Sequence, residues 1–211
     1  LNYLFPEAAL KHAILDSGVT HLLVQPSDAA RVKALLGGAC PVLLTTGDGG
    51  SFAAAVAAHE PFGAVVPRLD GDDALIMYTS GSTGVPKGVR QTHRNTLAHC
   101  DAVIDRYQLT GDDHVLNCMP LFHVGGLQLS SLTTLLRGGQ ITFMPKWDVT
   151  RWLELAQTLR PTFGGLISTM MIDVGNRTAQ NPVVLDSFRI CMFGGSRTPT
   201  AAIERLAAGT G

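Results

Sequence analysis

Apolar residues recur at helical spacing between Pro6 and Ser17, with Leu10, Ala13 and Ile14 on one face and Gly18 as a stop. The next run, VTHLLV (Val19–Val24), is continuous and short, which predicts a strand. A second unit repeats the alternation. Ser27 is positioned to cap a helix reaching Leu36, Gly37 and Gly38 end it, and PVLLT (Pro41–Thr45) predicts the following strand. A helix over Phe52–Ala58 and a strand near Phe62–Val66 complete this portion. After the turn-like DGDD (Asp70–Asp73), ALIMY (Ala74–Tyr78) predicts a buried strand that runs straight into a glycine-rich loop. A long helix follows, with Thr92 placed to cap it and Leu97, Cys100, Ile104 and Tyr107 at helical spacing.

Further strands are predicted near His114–Met119, Gln140–Met144, Thr162–Leu166 and Phe188–Phe193. Helices are predicted near Gly126–Leu136, Thr150–Leu159, Thr169–Asn176 and Pro199–Ala208, the last with Thr198 as cap and Pro199 in its first turn. Short apolar strands separated by helical stretches predict an α/β fold, with largely parallel sheets and helices on both faces. The expected division is a first α/β portion over 1–70 and a second over 71–211 that carries the glycine loop. Ligands of such sheets gather at the carboxyl ends of strands, where that loop sits.

Composition narrows the function classes. The 211 residues are 45% hydrophobic and 16% charged with a net charge of -1, which suits a globular chain and offers no basic surface for nucleic acid. No apolar run reaches membrane-spanning length and no signal-peptide pattern opens the chain, so a cytoplasmic protein without a transmembrane segment is expected. Cys40, Cys100, Cys118 and Cys191 are too widely spaced for a zinc site and are expected to be reduced thiols.

The string YTSGSTGVPKGV (Tyr78–Val89) carries the chemistry. Backbone N–H groups can converge on phosphate oxygens only where side chains do not intervene, a demand met by Gly81, Gly84 and Gly88. The hydroxyls of Thr79, Ser80, Ser82 and Thr83 add donors, and Lys87 adds a cation. A Walker A loop would place glycine before the lysine and a hydroxyl residue after it, whereas Pro86 and Gly88 stand there. The dinucleotide fingerprint also fails on glycine spacing.

The same string closely resembles the phosphate loop of the adenylate-forming superfamily of acyl-CoA synthetases, luciferases and peptide-synthetase adenylation domains. LNYLFPEAALKHAILDSGVTHLLV is similar to that family's segment before the loop, PLFHVGG (Pro120–Gly126) to the motif after it, and FGGSRTP (Phe193–Pro199) to a later glycine-rich motif. The resemblance implies an acid-CoA ligase, which joins a carboxylic acid to ATP with Mg2+, releases pyrophosphate, and passes the acyl group to coenzyme A. It implies that Thr79, Ser80, Gly81, Ser82, Thr83, Gly84 and Lys87 grip the β and γ phosphates. His123 then positions the carboxylate or gates the acyl site, Gly125 and Gly126 admit the acyl chain, and Gly194, Gly195 and Ser196 receive the adenine or the acyl group. Catalytic roles are expected for His123 and Lys87.

The resemblance also implies an acyl or aryl acid over an amino acid, because the family's amino-acid adenylation domains usually hold an aspartate, to balance the substrate ammonium, where this chain has His123. Two alternatives stay open: an adenylation domain that loads a carrier protein, and a binding-only nucleotide module. The family's later motifs, including its magnesium-associated glutamate and its mobile C-terminal domain, are not among these residues. The expectation is an N-terminal-domain fragment that is inactive by itself.

Overall fold

In the computed structural model, residues 1–79 and 84–210 are described. The chain divides into two compact units, Leu1–Arg94 and Asn95–Gly211.

The first unit contains α1 (Glu7–Asp16), β1 (His21–Val24), α2 (Pro26–Leu36), β2 (Val42–Thr45), α3 (Ser51–Ala57), β3 (Asp73–Thr79) and β4 (Lys87–Thr92). β1 and β2 pair in parallel, whereas β3 and β4 form an antiparallel hairpin. Leu10, Ala13 and Ile14 are the buried residues of α1, as their spacing predicts, and they join Phe5, Val32, Leu36 and Tyr78 in one core. Three expectations change here. Ser27 is not the cap of α2, because Gln25 holds that position and Pro26 occupies the first turn, where its fixed φ fits and its missing N–H is not needed. Residues 62–66 form no strand: with no neighbouring strand to pair with, Phe62 and Val65 are left 79% and 93% exposed. The chain leaving the glycine loop enters a strand, β4, before reaching the long helix.

The second unit takes in most of α4 (His93–Tyr107), followed by β5 (His114–Asn117), a π-helix (Gly125–Leu132), α5 (Thr133–Leu136), β6 (Gln140–Phe143), α6 (Val149–Leu159), β7 (Phe163–Ile167), α7 (Ser168–Gln180), β8 (Ile190–Gly194) and α8 (Thr200–Thr210). Its four strands lie in the order β6-β5-β7-β8, all parallel. Parallel strands must be covered on both faces, and alternate residues accordingly feed two cores. Val115 and Phe163 face Val103 and Ile104 of α4. Leu116 and Leu166 face Trp152, Leu153 and Ala156 of α6 and Met170, Met171 and Val174 of α7. Trp152 stacks on Phe188 with ring centroids 5.6 Å apart. Asp148 caps α6 by accepting from the Arg151 N–H at 2.8 Å. The helix expected over 126–136 starts as a π-helix and becomes regular only at Thr133.

At the amino end of this sheet Asp113, 5% exposed, accepts from the Thr110 N–H (2.8 Å), the Thr162 hydroxyl (2.7 Å) and the Arg189 guanidinium (2.7 Å). Burial pushes its carboxyl up, but the bonds from Thr162, Thr110 and Arg189 outweigh burial and hold it below the ordinary range. A depressed carboxyl stabilises the fold above its unfolded value of about 3.9 and loses that contribution as pH falls through the lower folded value. Asp113→Ala is therefore expected to cost about 2–3 kcal/mol at neutral pH. It should also flatten the loss of stability at acid pH, as read from urea midpoints at pH 7 and below pH 4.

Candidate functional site

In the first unit β3 and β4 hold the two ends of the glycine loop. Thr79 and Lys87 are register partners in the hairpin, so the hydroxyl residue and the cation of the motif stand opposite each other. Both are exposed, and among the described residues Lys87 makes no ion pair. Gly84 adopts φ +82, a conformation that favours glycine. Ser80, Gly81, Ser82 and Thr83 lie outside the described residues.

Gly88 is placed by the hairpin register. It lies within β4 opposite Tyr78, and a Cβ there would stand 3.0 Å from the Tyr78 ring. The buried ring fills the space a side chain at this exposed glycine would need, and its hydroxyl donates to Asp16 of α1 at 2.5 Å. Burial, followed by the Asp16 bond, pushes the Tyr78 phenol up to about 12, so it is a fixed donor at neutral pH. His12 Nε2 lies 3.1 Å from the Pro86 carbonyl oxygen and ties α1 to the last residue before Lys87. The loop is thus braced by α1 on both sides of its base. Because it leads into an antiparallel strand, it also differs in topology from the strand-loop-helix P-loop.

In the second unit the expected residues collect at the carboxyl end of the parallel sheet. From β5 the chain passes through the π-helix to β6 on one side, then through α6 to β7 on the other. The connections leaving β5 and β7 go to opposite faces, the topology that marks a ligand-binding switch point. Two buried polar residues shape its turns. Asn117, 1% exposed at the end of β5, donates from Nδ2 to the Gly126 carbonyl at 2.9 Å and accepts the Met119 N–H at 2.9 Å. Ser131 adds a second bond to the same Gly126 carbonyl at 2.7 Å.

These contacts fold Met119–Gly126 into a tight return, and Gly126 shows how tight. A Cβ on it would collide with the Pro120 carbonyl oxygen and lie 2.5 Å from that of Met119. Gly126 is therefore required by the backbone itself. His123, exposed, accepts the Gly125 N–H on Nδ1 at 3.2 Å. In the neutral ring this puts the proton on Nε2, which becomes a hydrogen-bond donor.

The other glycine motif follows β8. Ile167 and Gly194 are register partners, and Ser168, 4% exposed at the start of α7, bonds to the Ser196 carbonyl at 3.0 Å and the Thr198 hydroxyl at 2.7 Å. Gly195 has φ +86, and nothing lies within 4 Å of a Cβ placed on Gly194. The turn after β8 is therefore held by Ser168, while the space on the Cβ side of Gly194 stays open. Asn117 and Ser168 are the site-shaping residues that sequence reasoning missed. Their only signal is a polar residue at the carboxyl end of a strand, where an apolar one is expected.

The family model for "AMP-binding enzyme" matches residues 1–211. A feruloyl-CoA synthase from Amycolatopsis sp is 34% identical over 205 residues, covering 97% of this chain and 40% of that protein. Solved structures superpose over the whole chain. ATP-bound MatB from Rhodopseudomonas palustris gives a TM-score of 0.87 at 25% identity, covering 100% of this chain and 42% of that one. A malonyl-CoA ligase in a ternary product complex with methylmalonyl-CoA and AMP gives 0.78 at 28% identity, covering 100% and 43%. The chain thus spans about two fifths of the length of these relatives.

Proposed function

The chain belongs to the AMP-binding enzyme family, and from that premise we propose that the protein carrying it is an AMP-forming acid-CoA ligase. It converts a carboxylic acid and ATP into an acyl adenylate and pyrophosphate, and then transfers the acyl group to the thiol of coenzyme A. The observation that carries this reading is the Thr79–Lys87 pair at the mouth of the glycine loop, which sets a hydroxyl residue and an exposed cation opposite each other.

In the first step a carboxylate oxygen attacks the α-phosphorus, and the bond from that phosphorus to the bridging oxygen of pyrophosphate breaks. Charge builds on the departing pyrophosphate, so a preorganised cation and backbone donors lower the barrier. Lys87 is the cation in this reading, and Thr79, Ser80, Gly81, Ser82, Thr83 and Gly84 supply the donors. His123, with its proton on Nε2, donates a hydrogen bond to the acid and orients it; an ionised carboxylate needs no base. Gly125 and Gly126 border the acid, and Gly194, Gly195 and Ser196 receive the nucleotide in the open space beside Gly194. Among the described residues no three His, Cys, Asp or Glu side chains gather to hold a metal. In this reading Mg2+ accompanies ATP as the counter-ion of its phosphates. Among the described residues no helix is long and apolar enough to cross a membrane.

Acid-dependent exchange of labelled pyrophosphate into ATP by the complete enzyme tests the proposal; absence of exchange across aryl, short-chain and fatty acids would refute it. Removal of the Nε2 donor in His123→Ala is expected to reduce exchange by about 10²-fold. His123→Gln, whose amide can also donate, should retain more activity, with the difference appearing in kcat in place of the KM for ATP.

A further inference from the structure

The side chain of Met119 lies in a space that two glycines leave open. A Cβ on Gly165 of β7 would stand 2.7 Å from the Met119 Cε, and one on Gly125 would stand 3.2 Å from its Sδ. With either glycine replaced by a larger residue, the thioether could not rest where it does. Its backbone is fixed by the Asn117 bond, while the half-buried side chain makes no hydrogen bond among the described residues. Methionine is unbranched and has several rotatable bonds, so it can leave such a space without moving the backbone.

Behind it is Ser130 of the π-helix. Its hydroxyl is 3.7 Å from the same Gly165 Cβ position, the residue is 0% exposed, and the hydroxyl makes no hydrogen bond among the described residues. A buried hydroxyl without a partner is destabilising, and π-helical segments are concentrated at functional sites. On the other side the Gly125 Cβ position is 3.5 Å from His123 Nδ1. His123, Gly125, Met119, Gly165 and Ser130 therefore form a continuous line, from the imidazole proposed to orient the acid to an unsatisfied hydroxyl.

We propose that Met119 is the specificity-determining residue of the acid site, a movable plug that sets its depth, and that Ser130 supplies a polar contact beyond it. This rests on the acid-CoA ligase reading above. The substrate class that fits is a monocarboxylic acid bearing a neutral hydrogen-bonding substituent, such as a hydroxyl, remote from the carboxylate. None of the five residues in the line is an arginine or lysine that could offset a second carboxylate. An unsubstituted hydrocarbon acid would leave the Ser130 hydroxyl unpaired.

The test uses the complete enzyme and pyrophosphate exchange with 3-phenylpropanoic acid, its para-hydroxy derivative, straight-chain acids of increasing length, and butanedioic acid. The wild type is expected to prefer the hydroxylated acid. Met119→Ala should raise kcat/KM for the longer acids by about tenfold or more through KM, and Met119→Phe should lower it for the same acids. Ser130→Ala should abolish the preference for the hydroxylated acid and, because it removes an unpaired buried polar group, raise Tm without substrate. A residue with a merely structural role would not give opposite shifts in the two Met119 variants. Exchange that persists with an unchanged acid profile in both Met119 variants overturns the proposal. A fall in Tm for Ser130→Ala overturns the role of its hydroxyl and decides that point even if Met119→Ala fails to fold. Absence of exchange with every acid in the wild type overturns the ligase reading and this inference with it.

Discussion

Lys87→Ala is expected to slow adenylate formation by about 10²-fold, with most of the loss in kcat. Lys87 opens β4 directly opposite Thr79 at the end of β3, so its position is set by the hairpin register and by the His12 contact to Pro86. A cation held in advance gains most when charge appears on the departing pyrophosphate, which is why the loss should fall on kcat more than on the KM for ATP. Lys87→Arg keeps the charge but replaces a compact ammonium with a planar fork, so it should recover only part of the rate. Steady-state pyrophosphate exchange at saturating ATP measures both variants. Full activity in Lys87→Ala would remove the cation from the mechanism.

Gly126→Ala is expected to be the most disruptive single methyl in the second unit, costing about 3 kcal/mol or more of stability. The added Cβ would meet the carbonyl oxygens of Pro120 and Met119, which are backbone atoms and cannot swing aside. Relief would require the turn to open and would break the Asn117 and Ser131 bonds to the Gly126 carbonyl. Gly194→Ala makes an informative comparison, because a Cβ there meets nothing within 4 Å. It should leave thermal stability near wild type while weakening nucleotide binding, if the open space beside Gly194 is where the nucleotide lies. Melting curves with and without ATP separate the two effects.

Much of this architecture was legible because it rests on local pattern. The α1 face, the parallel strands and the glycine string each follow from spacing over a dozen residues or fewer. β4 was not, since KGVRQT is mainly polar and exposed and reads as loop until its partner β3 is known. Phe62–Val66 shows the reverse: an apolar run is not a strand when no neighbour offers hydrogen bonds. The roles of Gly88 and Gly126 depend on what approaches them, the Tyr78 ring in one case and folded-back carbonyls in the other. Asn117 and Ser168 were invisible for the same reason, because their partners lie on turns that exist only once the sheet is assembled.

Adenylate formation and simple hydrolysis break different bonds of ATP. Phosphorus NMR of the complete enzyme with ATP, Mg2+, coenzyme A and an accepted carboxylic acid distinguishes the outcomes directly. Cleavage between the α and β phosphates predicts AMP and pyrophosphate in equal amounts, both dependent on the acid. ADP and inorganic phosphate, formed whether or not the acid is present, would contradict it.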